Sequence, residues 1–399
     1  MKKFFLLPIF VLLLNFGLAQ SPGSIYSISS LQSPEINGMG NIGVGLPSND
    51  PFAVLYNPAN GIKDKDGISL ALSNLANSPF NDKQSIQSLS FIPDKYPFQI
   101  NLSHLQLVDD KGVMNYSEDY FRDYKVVSNY YSLSGLYTGS IFKIPINLAL
   151  GITGKKTSLD YLEVLPDDTL DFVSDEILYD LGFLFSIPYS KKNLKINNHS
   201  YNLLIKPAFG YSILNTGNNF RIYNKDYPSP RLVNMGISLS ARLSTGDGWN
   251  ILEMQYGQAA QESLVKSENY PIIYKSGLGD IDIFNDIMLN NPAGKASVMR
   301  GGQVSLLNIY SFRVGKNYSK DHPYYLNTEI LTRGYGIHSD GIFRLLHYLT
   351  GKKIFKQIAF HTDISYNSTK FSDLKYDHYD NKKCSDFNFS INHLGELVR

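Results

Sequence analysis

The sequence predicts an all-β fold: a transmembrane antiparallel β-barrel of about 14 strands with a Gly/Pro-rich N-terminal hatch in its lumen. Three observations predict it. Long runs alternate apolar and polar residues with period two, their connections alternate between short and long, and one early segment carries too much glycine and proline to form wall.

Composition sets the frame. A chain of 399 residues has room for two or three ordinary domains, yet no linker-like run of proline, serine or charge divides it, so one large unit is expected. With 37 basic and 36 acidic residues the formal net charge is +1, which gives no field for nucleic acid, and none is expected as a partner. Tyrosine (28) and phenylalanine (23) are abundant while tryptophan is single, a balance that suits a boundary between lipid and water.

Residues 1–19 read as a signal peptide: Lys2 and Lys3, an apolar run from Phe4 to Leu14, and small residues ending at Ala19, where cleavage is expected. This points to export and to a bacterial outer membrane, with its lipid as a partner. No later stretch reaches the ~20 apolar residues of a spanning helix, so an embedded mature chain must be a barrel. Cys384 is the only cysteine, so no internal disulfide supports the fold.

Residues 20–62 are the N-terminal segment and hatch. From Ile36 to Ile62 the chain gathers Gly38, Gly40, Gly43, Gly45 and Gly61 with Pro47, Pro51 and Pro58, which excludes regular strand and helix. Such irregular backbone keeps its polar groups satisfied only if something surrounds it. Asp50 and Asn57 are the side chains expected to bond its turns or the inner wall.

Residues 63–399 are expected to be the surrounding wall. The clearest alternation sets Phe142, Ile144, Ile146, Leu148, Leu150 and Ile152 against Lys143, Pro145, Asn147, Ala149, Gly151 and Thr153. Similar runs cover Ile177 to Ile187, Tyr201 to Ile213 and Val233 to Leu243, longer than the ~5 to 6 residues usual in soluble strands. Strand centres fall at Leu70, Leu89, Leu102, Leu133, Leu148, Phe183, Ile205, Ile237, Met254, Leu306, Glu329, Phe360, Leu374 and Phe389. Short connections are expected at Pro93 to Pro97, Thr138 to Ser140, Ser190 to Ser200, Thr245 to Trp249 and Lys316 to Pro323. Long ones are expected at Asp109 to Tyr124, Thr157 to Glu176, Gly217 to Arg231 and Gln258 to Arg300. The C-terminus then lies at the short-turn end. Ser339 to Thr350 carries Ile342, Leu345, Leu346 and Leu349 at helical spacing, and this strand count puts it on the outer side.

The run Gly38-Met-Gly-Asn-Ile-Gly-Val-Gly45, with Asp50 and then Leu55-Tyr-Asn-Pro-Ala59 after it, resembles the N-terminal motif of the FadL-like outer-membrane barrels. That superfamily includes transporters of hydrophobic compounds and the PorV/PorQ-type proteins associated with type IX secretion. The resemblance implies a barrel of about 14 strands with a hatch inside, no catalytic residues, and a hatch motif comprising Gly38, Gly40, Gly43, Gly45, Asp50, Asn57, Pro58 and Ala59. Asn60-Gly61 departs from the family's usual Gly-Leu.

No enzyme signature is present: there is no G-x-S-x-G, H-E-x-x-H or P-loop. His361, Asp363 and Ser365 read as lumen polarity. The oxygens of Asp280, Asp282, Asn285 and Asp286 match no calcium-loop spacing and read as a solvated loop, so neither a metal nor a cofactor is expected. Pro145 and Pro207 cannot donate to a ladder, and they mark either a gap in the wall or a bulge at its rim.

Two functions are expected. One is a passive channel for small hydrophobic solutes. The alternative is a PorV/PorQ-type membrane protein that docks exported proteins through its outer loops. The loop Gln258 to Arg300, with Ile272, Ile273, Tyr274, Ile283, Phe284, Ile287, Met288 and Leu289, would cover the lumen mouth or meet that partner.

Overall fold

The computed structural model describes residues 33–61, 66–76, 83–93, 96–112, 121–165, 168–196, 199–222, 225–266, 273–291, 296–321, 326–373 and 383–393. The expected signal peptide, 1–19, lies outside them, as do Leu374 and Ile272.

The strands are β1 (Gly67–Ala76), β2 (Lys83–Ile92), β3 (Phe98–Gly112), β4 (Phe121–Ile141), β5 (Ile144–Leu165), β6 (Asp168–Ser186), β7 (Tyr189–Ile196), β8 (His199–Gly217), β9 (Phe220–Ile222), β10 (Lys225–Tyr227), β11 (Leu232–Thr245), β12 (Asn250–Ser263), β13 (Val265–Lys266), β14 (Ile273–Tyr274), β15 (Ser297–Leu306), β16 (Tyr310–Asp321), β17 (Leu326–His338), β18 (Thr362–Asp373) and β19 (Lys383–Asn392). β9–β10 and β13–β14 are small separate hairpins.

The remaining strands form one antiparallel sheet that closes on itself, because β1 pairs with both β2 and β19, and β8 with both β6 and β11. β7 continues β6 past a break at Ile187–Pro188, since both lie along β8: Ser186 faces Ala208 and Tyr189 faces Ile205. Counted as one strand with β6, it gives a wall of 14 strands. Such a wall around an N-terminal segment is the architecture the FadL-like resemblance implies.

The expected count is right, though two of its members are wrong. Phe360 sits in a helix, Lys353–His361, and the strand Tyr310–Asp321 had no counterpart among the expected centres. The tight turn before that strand contains neither glycine nor proline. Leu307 and Asn308 both adopt positive φ, 55° and 51°, the geometry of a type I′ hairpin turn. The hairpin of β4 and β5 turns the same way at Phe142 (49°) and Lys143 (68°), so the expected turn at Thr138 to Ser140 is strand. Strand also replaces loop over much of Thr157 to Glu176, because β5 runs to Leu165 and β6 begins at Asp168. Lys316 to Pro323 is no short turn, since β16 continues through Lys316 to Asp321.

These shifts move the helical segment. Ser339–Thr350 and Lys353–His361 form a hairpin between β17 and β18, at the end of the tight turns, stacked through Phe343 and Phe355 with centroids 6.5 Å apart. Gly351, with φ of 69°, ends the first helix. β19 also ends there, where the C-terminus was expected.

Inside the wall, residues 33–61 form a compact body. A short helix, Pro34–Gly38, is capped by the Ser33 hydroxyl, which accepts from Ile36 N at 3.1 Å, and 3-10 turns lie at Ala53–Leu55 and Pro58–Gly61. Ile36, Met39, Leu46, Phe52, Ala53 and Ala59 are completely buried. This body is what fills the middle of the barrel.

Candidate functional site

The two faces of the wall reverse the usual order of a soluble protein. Along β1, Ile68, Leu70 and Leu72 are exposed while Ser69, Ala71 and Ser73 are buried; along β3, Ile100 and Leu102 are exposed while Gln99, Asn101 and Ser103 are buried. The same holds for Leu133 against Ser132 and Ser134, and for Phe312 and Val314 against Ser311 and Arg313. Near the tight turns the outer face carries exposed aromatics at Tyr96, Tyr137, Phe142, Tyr189 and Tyr310. An apolar band with an aromatic girdle, around a polar interior, is stable only in lipid. The chain is an outer-membrane-type β-barrel.

The barrel's lumen is held shut by a ring of bonds from short wall side chains to the backbone of the N-terminal body. Ser88 of β2 and Asn101 of β3 each donate to the Pro51 carbonyl at 3.1 Å, and Ser134 of β4 donates to the Pro58 carbonyl. Ser212 of β8 donates to Tyr56 O at 2.8 Å, Ser238 of β11 to Gly45 O at 2.7 Å, Thr332 of β17 to Gly38 O at 3.2 Å, and Thr369 of β18 to Pro34 O. Asn57 reaches the wall in the other sense, donating to Phe183 O at 2.9 Å and to Val44 O at 2.8 Å. These contacts meet the need of irregular buried backbone for partners from every side.

Glycine lets the two backbones meet. A Cβ at Gly210 or Gly236 of the wall would collide with Val44, one at Gly151 with Pro58, one at Gly182 with Asn57, and one at Gly315 with Gly40. Gly40 itself has φ of 74°.

The motif residues divide between binding the wall and bracing the body itself. Gly38, Gly45 and Pro58 offer carbonyls to the wall, and Gly43 O accepts from Asn60 Nδ2. Ala59 N donates to Asn57 Oδ1 at 3.0 Å, and Asp50 accepts from Phe52 N at 3.0 Å and from the Ser33 hydroxyl. Arg313 was not anticipated from the sequence. It is 1% exposed, donates to Gln303 and, at 2.9 Å, to Asn367, and faces Glu35 at 3.5 Å. An arginine alternating with exposed Phe312 and Val314 was the available signal.

Toward the long loops the lumen turns apolar. β3 changes from Gln99, Asn101 and Ser103 to Leu105 and Leu107 on the same inner face, and Ile86, Val126, Leu159, Leu178, Leu214 and Leu232 line the same level. Ile36, Phe52, Val54, Leu55 and Tyr56 pack against this lining and form its floor. Within it sits one buried ion pair. Lys155 lies 2.7 Å from Asp180 and 5.1 Å from the Tyr130 ring centre, and donates to Asn215 Oδ1 at 2.6 Å. A bulge in β8 places Asn215 at φ 58°, so that its N–H also reaches Asp180 at 2.7 Å.

Pro145 pairs with Ser140 beside the hairpin tip of β4 and β5. Pro207 pairs with Leu239, and its carbonyl accepts from Ile187 N at 3.0 Å, directly across from the break in β6–β7. His361 ends a helix and Asp363 lies 3.7 Å from His338, so His361, Asp363 and Ser365 converge on no common point.

The long loop after β12 neither crosses the mouth nor stands free. Leu264, Ile287 and Ala296 pack on the outer face of the wall, against Val233, Met235, Ala260 and Val298, and Tyr211 donates to Gly277 O at 2.6 Å. Asp282 caps the turn Ile283–Met288 by accepting from Phe284 N and Asn285 N. Lys275 pairs with Glu262 and, at 2.7 Å, with Asp280. Partial burial disfavours the Lys275 ammonium, but these carboxylates outweigh it and hold its pKa above the ordinary lysine value.

No protein-family model and no curated protein matches the chain. Among solved structures it is similar to a Pseudomonas aeruginosa FadL homologue (11% identity, 88% of this chain and 96% of that one, TM-score 0.40). It is similar also to the Pseudomonas putida toluene transporter TodX (10%, 94% and 98%, 0.38) and to the β domain of the Bordetella autotransporter BrkA (9%, 82% and 100%, 0.36).

Proposed function

We propose that the barrel is a passive channel for small hydrophobic solutes in a bacterial outer membrane, reached by export under a signal peptide at residues 1–19. The apolar lining above the N-terminal body carries this reading. An uncharged, water-averse molecule entering from the long-loop end meets Leu105, Leu107, Leu159 and Leu178 on the walls and Phe52 to Leu55 as a floor.

In this reading residues 20–62 are the hatch and 63–399 the barrel. The motif residues Gly38, Gly40, Gly43, Gly45, Asp50, Asn57, Pro58 and Ala59 hold the hatch closed, and solute passes when part of it shifts. The break opposite Pro207, next to the strand that carries Pro145, is where a side exit through the wall would lie. The FadL-like motif supports a transport role, whereas no comparison supports docking of exported proteins.

The test is uptake of naphthalene into liposomes that hold the protein. Cysteines at Asn57 and Gly182 (N57C/G182C), whose side chains would press on each other, lock hatch to wall when oxidised. Uptake by the reduced form and its loss on oxidation is the expected result. Equal uptake in both states would sink the gated mechanism; wild-type uptake no faster than that of protein-free liposomes would sink the channel.

A further inference from the structure

One arc of the outer wall is strongly basic. Arg300 of β15, Lys316 of β16, Arg333 of β17, Lys370 of β18 and Lys383 of β19 occupy successive strands. All alternate with buried neighbours, so all point outward, just beyond the apolar band of Val304, Val314, Tyr335, Tyr366 and Phe387 on the long-loop side.

The register sharpens this. Arg300 lies directly across from Lys316, Arg333 from Lys370, and Lys370 from Lys383. Like charges directly opposite one another across a ladder are destabilising. Among the described residues on this arc one carboxylate offsets them: Glu329, 2.6 Å from Lys316. At the corresponding level on β2, β3 and β4 the outward residues are Gln87, His104 and Asn129, mutually opposed and neutral at pH 7, with His104 Nδ1 2.9 Å from Asn129 Oδ1. The level is thus polar around much of the wall and cationic on one arc.

We propose that this arc binds the phosphate groups of anionic lipid headgroups in the leaflet at the long-loop end. Two features select that occupant: the arc continues the lipid-facing band, so its neighbour is a headgroup, and its opposed cations are relieved by an anion that bridges strands. Phosphate offers several acceptor oxygens to the Arg300 and Arg333 guanidinium groups at once.

The experiment compares lipid retained by the detergent-purified full-length barrel, read by native mass spectrometry, using bisphosphorylated lipid A and the same lipid stripped of phosphate. The expected result is retention of the phosphorylated form alone. R300Q/R333Q/K370Q should weaken it by roughly 100-fold, as for the loss of three surface cations, while K125Q/K156Q elsewhere on the wall leaves it unchanged. Equal retention of the two lipids by the wild type would overturn the proposal without any variant. So would undiminished retention by R300Q/R333Q/K370Q, its folding checked by heat-modifiable migration.

Discussion

Asn57 shows how one side chain joins the hatch to the wall. Its amide donates to Val44 O and Phe183 O and accepts from Ala59 N, so Asn57→Ala strands two buried carbonyls and one N–H. A loss of about 2 to 4 kcal/mol in urea unfolding is expected, at ~1 to 3 kcal/mol for each unsatisfied group with partial relaxation. Gly210→Val should act more sharply, because any Cβ there collides with Val44; the barrel should still close, but residues 33–61 should become cleavable by added protease. For Lys155 and Asp180 the pair matters more than its members. Lys155→Met alone leaves a buried carboxylate and should cost ~3 to 5 kcal/mol, whereas K155M/D180L should unfold near the wild-type midpoint. Asp50 and Asn57 were legible in the sequence because Asx side chains bond local backbone. Their wall partners Ser88, Ser134, Ser212 and Ser238 were not, since a serine on the inner face looks alike whether it meets water or a carbonyl.

At the level of elements, strands read well and turns poorly. Period two sets the wall faces wherever one side is lipid, so Phe183, Ile205 and Ile237 all fall within strands. The hairpins at Phe142–Lys143 and Leu307–Asn308 left no such trace, because three of those four residues are types that rarely adopt positive φ. That strain is a testable reserve. F142N/K143G places the residues a type I′ turn prefers and should stabilise the barrel by ~1 to 2 kcal/mol in urea unfolding. Missing the turn at Leu307 also displaced the helix Ser339–Thr350 by one strand, because one unseen hairpin reverses the sidedness of every later element. The long loop was read correctly as apolar, but periodicity carries no information about which surface it would cover.

Across the molecule, the exposed band and buried polar lining make lipid a structural component of the barrel. Leu133, 52% exposed near mid-band, should tolerate Leu133→Ala, while Leu133→Arg should lower unfolding free energy in bilayers by ~2 to 4 kcal/mol. Equal effects of the two substitutions would contradict the placement of the band.

Closure of the wall runs through β1 and β19, and the waist between them is lined with glycine and short hydroxyls that cannot fill it. Residues 33–61 are therefore best regarded as a tethered ligand for a site made by the rest of the chain. Only a few residues separate Gly61 from Gly67, so the effective concentration of this ligand is in the range of short linkers, of order millimolar. Occupancy then depends on tether length as well as on contacts. Lengthening the stretch 62–66 with Gly-Ser repeats should raise the fraction of open barrels, read as faster naphthalene uptake, with every contact between hatch and wall left intact.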